Sequence, residues 1–254
     1  PKFKLDDQSA ITPELANKAL FGEQLETNPG QLTAFKGQLA IILAIAHSEF
    51  VLSLAAEKIV GRLAHNLHNL RSQAGPAIWK LLIPIAQQHP LQEYLLQDPF
   101  TKWSFEKPRG YSGDATLLDI YYQHSSANEI IDRATPLGKE IYAYTSNAAS
   151  SVAGRERRDI LAQYVDRVCS EKHAAEILSI ACGHLRESEK SEALARGDLK
   201  RWVALDQDPQ SIVTVMQNNP ADIVKPIQGS VRGLLRRSYN LGSFDLVYAS
   251  GLFD

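Results

Sequence analysis

Two stretches of this chain gather side chains able to do chemistry. In the run TKWSFEKPRGYSGDATLLDIYY, Lys107, Arg109, Tyr111 and Asp114 fall within eight positions, around Gly110 and Gly113. A guanidinium there can grip a carboxylate with two parallel hydrogen bonds. A tyrosine can shape a pocket, and Asp114 can either cap the helix that resumes near Ala115 or take a proton as a general base. In EILSIACGHLRES, residues 176–188, a short run of β-favouring residues meets Gly183 and passes into helix-compatible sequence, with His184 and Glu187 just beyond the turn. A strand that hands over to a helix at a glycine leaves backbone N–H groups facing whatever lies above the strand's carboxyl end. Open α/β sheets take their ligands there.

Asp206 closes the next strand candidate about 20 residues after Gly183, the separation at which an acid in such folds reaches the ribose hydroxyls of a nucleotide or nucleoside. The glycines of a pyrophosphate loop, G-x-G-x-x-G, are missing, because the chain has G-H-L-R-E instead. A ligand with an adenosine half and no phosphates therefore fits better than a dinucleotide. His184 joins Asp114 as a base for a hydroxyl or amine.

The elements that must hold these residues change character near residue 172. Beyond it, strand candidates at 177–181, 202–205, 223–227 and 244–249 alternate with segments of crossover length, which predicts a doubly wound parallel sheet. Before it the pattern is helical. Leu32, Phe35, Leu39, Ile42, Leu43, Ala46, Phe50, Leu54 and Ile59 recur at three- and four-residue steps toward Asn69, predicting one long helix or two in line. Thr12-Pro13-Glu14 marks an earlier helix start, and Pro84 is expected to kink or end the piece that follows Pro76. The apolar run 39–56 carries His47, Ser48 and Glu49 at its middle and reads as a buried helix, not a membrane span. Arg155, Arg157 and Arg158 read as a solvated face. His65 and His68, three apart without further ligands, read as structural or solvated, and no metal site is expected. Three regions result: a helical amino-terminal domain over 1–105, a loop with connecting helices over 106–172, and an α/β domain over 173–254.

Composition narrows the classes further. With 27 basic and 29 acidic residues and a formal charge of −2, the chain lacks the basic footprint that nucleic acid requires. Cys169 and Cys182 are too few for a disulfide framework or a zinc site. A hydrophobic content of 44% is that of a soluble protein with a core. The amino-terminal stretch does not have the order of a signal peptide, and the cytoplasm is the expected compartment.

The series ILSIACGHLRE, VALDQDPQSI, IVKPIQGSVRGLL and FDLVYASGLFD, spread over residues 176–254, resembles the successive motifs of class I S-adenosylmethionine-dependent methyltransferases. The resemblance implies a Rossmann-like parallel sheet, S-adenosylmethionine as cofactor and a small-molecule methyl acceptor. It implies that Ala181, Cys182 and Gly183 wrap the methionine part, and that Asp206 holds the ribose with Gln207 beside the adenine. Gly229, Ser230, Val231 and Ser250 complete the cofactor set. There are departures: Ser179 stands where an acid is common, Ala181 and Leu185 replace two of the usual glycines, and Ser230 replaces an aspartate.

The helical region, the KPRGYSGDATLLD loop and the ACGHLRE motif together resemble, more narrowly, the bacterial methyltransferases that form methyl esters of hydroxylated fatty acids, the extracellular-factor type. The first motif of that group is matched by Cys182, Gly183 and Glu187. This resemblance makes residues 107–114 an active-site lid, with Arg109 orienting an acceptor carboxylate and Tyr111 shaping the pocket. The resembled fold has three more strands, so the sheet is expected to be truncated after strand four and the chain to be a fragment of a longer protein or of a larger multidomain enzyme. A homodimer through the helical region is a further expectation. Two rivals remain: a nicotinamide oxidoreductase, disfavoured by the missing glycines, and a non-catalytic cofactor- or partner-binding domain of the same fold. In a thermal-shift assay S-adenosylhomocysteine should raise the melting temperature and NAD should not; stabilisation by NAD alone would favour the oxidoreductase.

Overall fold

The computed structural model describes residues 29–252, so the Thr12-Pro13-Glu14 helix start lies outside the described residues. They form a mixed α/β structure in two compact units. One runs up to Asp98 and includes Thr135–Tyr144; the other comprises Pro99–Ala134 and the chain from Thr145 onward. The segment 106–172, expected as one piece, is divided between them, because the helix Pro136–Thr145 places Ile141 in the core of the helical unit.

In the helical unit, α1 (Pro29–Val51) is followed by α2 (Ala56–Gln87), which packs back along it. One long helix or two in line were expected. The turn at 52–55, with Ser53 in the left-handed region at φ 54°, reverses the chain instead. Leu39, Leu43, Ala46 and Phe50 of α1 thereby meet Ile59, Leu63 and Leu70 of α2 in one core. The opposite face of α1 keeps Ile41 and Ile45 at 62% and 55% exposure, so this helix is buried along one side only. By length and composition Gly30–Val51 is also sufficient to cross a membrane, a test that the run 39–56 was expected to fail. Within α2 the dihedral break falls at Gly75 (φ 69°, ψ 169°), directly before Pro76, whose missing N–H costs least in a first helical turn. Dihedrals stay helical through Pro84, and the helix continues to Gln87.

The second unit contains α3 (Ala115–Tyr122), α4 (Ala149–Glu171) and the strands β1 (Ala175–Ile180), β2 (Leu199–Asp206), β3 (Val224–Gln228) and β4 (Leu246–Ala249). The four strands are all parallel, in the order β3-β2-β1-β4. Trp202, Val203, Ala204 and Leu205 of β2 and Ile177 and Leu178 of β1 are buried, as central strands covered on both faces should be. The strand order reverses between β1 and β4, and the crevice at such a reversal is the favoured ligand position in open sheets.

The arginines of α4 do not form a solvated face. Arg155 donates to the carbonyls of Tyr121 and Ser146 at 2.8 and 2.6 Å, Arg158 stacks over the Tyr122 ring at 5.0 Å, and Arg157 lines a cavity. Backbone carbonyls and an aromatic face, which a charge pattern does not reveal, turn them inward.

Glycine is required at Gly138, where an added Cβ would lie 2.1 Å from the carbonyl oxygen of Gln97. Gly138→Ala should lower stability by about 1–3 kcal/mol, the usual cost of overpacking, measured by urea unfolding.

Candidate functional site

β1 ends at Ile180, and the chain then turns through Ala181, Gly183 and Leu185, all in the left-handed region at φ 54°, 55° and 53°. That conformation costs a residue with a Cβ about 1–2 kcal/mol. The loop thus holds, at two non-glycine positions, a shape that glycine adopts freely. Gly183 is hemmed in, since an added Cβ would lie 3.2 Å from the Cβ of Ala115 at the start of α3. The expected α-helix does not follow directly: a 3-10 turn, Arg186–Lys190, comes first, and then the short helix Glu192–Arg196.

Asp206 ties three strand ends together. Its Oδ2 accepts the Gly183 N–H and its Oδ1 the Asp208 N–H, both at 2.8 Å, and its carbonyl accepts the Gly229 N–H at 2.8 Å. Burial raises the Asp206 pKa and outweighs those two N–H bonds, which favour the charged form. A carboxylate has about four lone-pair sites, so both oxygens keep capacity for a further donor.

A second carboxylate, Asp119 of α3, collects charged partners. His184 Nδ1 lies 2.7 Å from its Oδ2, Arg186 donates from Nε to Oδ1 and from Nη2 to Oδ2 at 2.8 Å each, and the Ser126 hydroxyl donates to Oδ2 at 2.7 Å. Burial works against the Asp119 charge, but hydrogen bonds from Arg186 and His184 prevail and hold its carboxyl well below the usual carboxylate range. The other nitrogen of His184, Nε2, is buried and has no hydrogen-bond partner among the described residues. Close by, the Tyr248 hydroxyl donates to Glu187 Oε1 at 2.6 Å. Burial pushes up the Glu187 carboxyl, the Tyr248 hydroxyl and the Cys182 thiol, which leaves Cys182 a poor nucleophile.

Asp119, Cys182, His184, Arg186 and Glu187 border a cavity of about 40 Å³, enough for a small functional group. Of the cofactor-binding and catalytic residues expected from the sequence, Ala181, Cys182, Gly183, His184, Glu187 and Ser250 line it, joined by Asp119 and Tyr122 of α3 and Arg157 of α4. Asp206 stands behind the Gly183 N–H. Gln207, Gly229, Ser230 and Val231 follow the ends of β2 and β3 and are not among the lining residues. Ser230, where an aspartate was the pattern, caps the helix Val231–Leu235 by accepting the Gly233 N–H at 3.1 Å.

The loop 107–114 is held down by its own side chains. Arg109 pairs with Asp208 beyond β2 and donates to the Thr116 hydroxyl at 2.9 Å. Asp208 stays below the usual carboxylate range: burial opposes its charge, while Ser211, the Gln210 N–H and Arg109 favour it. The Asp114 carboxylate accepts the Thr116 and Leu117 N–H groups and the Trp103 indole N–H, each at 2.9 Å. It caps the helix, and both of its oxygens are engaged. Tyr111 has its hydroxyl pushed up to about 12, by burial first and then by Asp206, Asp208 and Asp114. Neither Arg109, Tyr111 nor Asp114 lines the cavity. Sequence reasoning missed Asp119, Arg186, Asp208 and Tyr248; the available signal was a lone acid inside the apolar run TLLDIYY. Among the described residues no group of three or more His, Cys, Asp or Glu could hold a metal ion.

Compared with family models, curated proteins and solved structures, the chain matches none of them.

The raised pKa of Glu187 carries a pH dependence. The folded protein binds the Glu187 proton more tightly than the unfolded chain, so the stability it contributes is full in acid and is lost as pH rises through the folded value, starting from about pH 4. Glu187→Gln cannot ionise and should flatten that loss in urea titrations run across this range; an unchanged pH slope would acquit Glu187.

Proposed function

We propose that the chain binds S-adenosylmethionine at the carboxyl ends of β1 and β2, on a Rossmann-like sheet of the class I methyltransferase type. The methyl group passes to a small-molecule acceptor, a carboxylate or hydroxyl on a lipid-like or natural-product molecule. The observation that carries this reading is Asp206, a buried carboxylate that spends one hydrogen bond per oxygen on backbone N–H groups and keeps acceptor capacity for the two hydroxyls of a ribose. The residues fit such a ligand in two further respects. The turn at Ala181, Gly183 and Leu185 keeps a glycine-like backbone despite its sequence, and Gly183, without a side chain, lets Ala115 of α3 close against the turn. Bound there, the cofactor supplies a methyl already activated on a sulfonium. What is asked of the chain is alignment and the exclusion of water.

The roles of the loop residues shift under this reading. Arg109 closes the loop against the end of β2 through Asp208, and it reaches an acceptor carboxylate only by leaving that partner. Asp114 fixes the start of α3, which covers the cavity. A second reading, cofactor binding without transfer, draws support from the commitment of both side chains; transfer of labelled methyl to any acceptor would dismiss it.

Titration calorimetry with S-adenosylhomocysteine tests the cofactor assignment. Asp206→Ala should weaken binding by about 10- to 100-fold, the loss of a hydrogen bond to a charged group. Equal affinity in a variant with an unchanged melting temperature would remove Asp206 from the site.

A further inference from the structure

The buried imidazole of His184 has one nitrogen with a strong partner and one with none. Asp119 is held as an anion by Arg186, so it accepts from His184 Nδ1, which must carry the proton. On the neutral ring Nε2 is then a bare lone pair, in a residue that is 7% exposed and lines the cavity beside Ala181, Gly183 and Ser250. A buried polar atom without a hydrogen bond is costly, and such orphans in native structures call for an explanation.

We propose that His184 Nε2 is the general base for a hydroxyl acceptor, with Asp119 and Arg186 as positioning residues; this rests on the methyl-transfer reading above. A carboxylate acceptor arrives ionised and has no use for such a group, whereas a hydroxyl must give up its proton as it is methylated. As the O–CH3 bond forms and the S–CH3 bond breaks, the electron pair stays on sulfur and the hydroxyl proton passes to Nε2. The positive charge leaves sulfur and ends on the imidazole, against Asp119. The charges around it favour that outcome: Asp119 and Asp206 on the anionic side, with buried Glu187 three residues on lining the same cavity, and Arg186 and Arg157 on the cationic side. Asp119 fixes the tautomer, and the paired Arg186 contact fixes Asp119.

The test uses the whole chain, labelled S-adenosylmethionine and five probe acceptors: phenol, benzyl alcohol and decanol against benzoate and decanoate. Label should go to the hydroxyl probes. His184→Gln should cut kcat on them by about 100-fold or more, the usual worth of a general base, while S-adenosylhomocysteine still binds. Methylation of the carboxylates alone, or of none of the five by cofactor-loaded protein, overturns the proposal. Nitrogen NMR of His184 in the unmodified protein gives a readout independent of turnover. It should show a protonated Nδ1 and a bare Nε2, and Asp119→Asn should disturb that preference; a proton on Nε2 with Nδ1 bare overturns the proposal whether or not the variants fold. Absence of S-adenosylhomocysteine binding would instead defeat the cofactor assignment and this inference with it, and calorimetry reads that separately from the tautomer.

Discussion

Four donors converge on the carboxylate of Asp119, which is 2% exposed: two from Arg186 and one each from His184 and Ser126. A charge taken out of water is expensive, and removing one partner from a buried pair typically costs about 3–5 kcal/mol because the other is left uncompensated. Helix α3 therefore cannot lift away from the loop after β1 without stranding a carboxylate and a guanidinium together. That constraint sets the rest of the site. It brings Ala115 against Gly183, carries Tyr122 to the cavity wall, and anchors the loop that Arg109 closes at its other end.

Two of the site's buried carboxylates, Asp119 and Asp206, behave in opposite ways, and the difference is chemical. Asp119 has a guanidinium in direct contact and is held ionised; Asp206 has only backbone N–H groups, and burial raises its pKa. Asp119 is thus satisfied and suited to a fixed structural charge. Asp206 is under-satisfied, so an incoming donor has something to gain there.

Much of the sheet was legible in the sequence, because central parallel strands are continuous apolar runs: the candidates 202–205 and 177–181 fall within a few residues of β2 and β1. The helical hairpin was not. A three- and four-residue apolar rhythm continues through 52–55 whether the chain runs straight or doubles back, and only the backbone at Ser53 distinguishes the two. Asp119 was hidden because its partners His184 and Arg186 lie far along the chain. Arg155 was hidden because its partners are carbonyls, which every residue has. Ala181 and Leu185 show a subtler gap. Sequence reports missing glycines, while the backbone keeps their conformation.

The helical unit draws Ile141 from Thr135–Tyr144, after the chain has already left it for Pro99–Ala134. During synthesis the ribosome therefore releases a stretch belonging to the other unit before the last piece of this core emerges. A nascent chain halted in that interval would carry Leu82 and Leu91 without the isoleucine that joins them in the finished cluster. The helical unit is thus not a module that a single cut could release, and its order of completion on the ribosome is dictated by the path of the backbone.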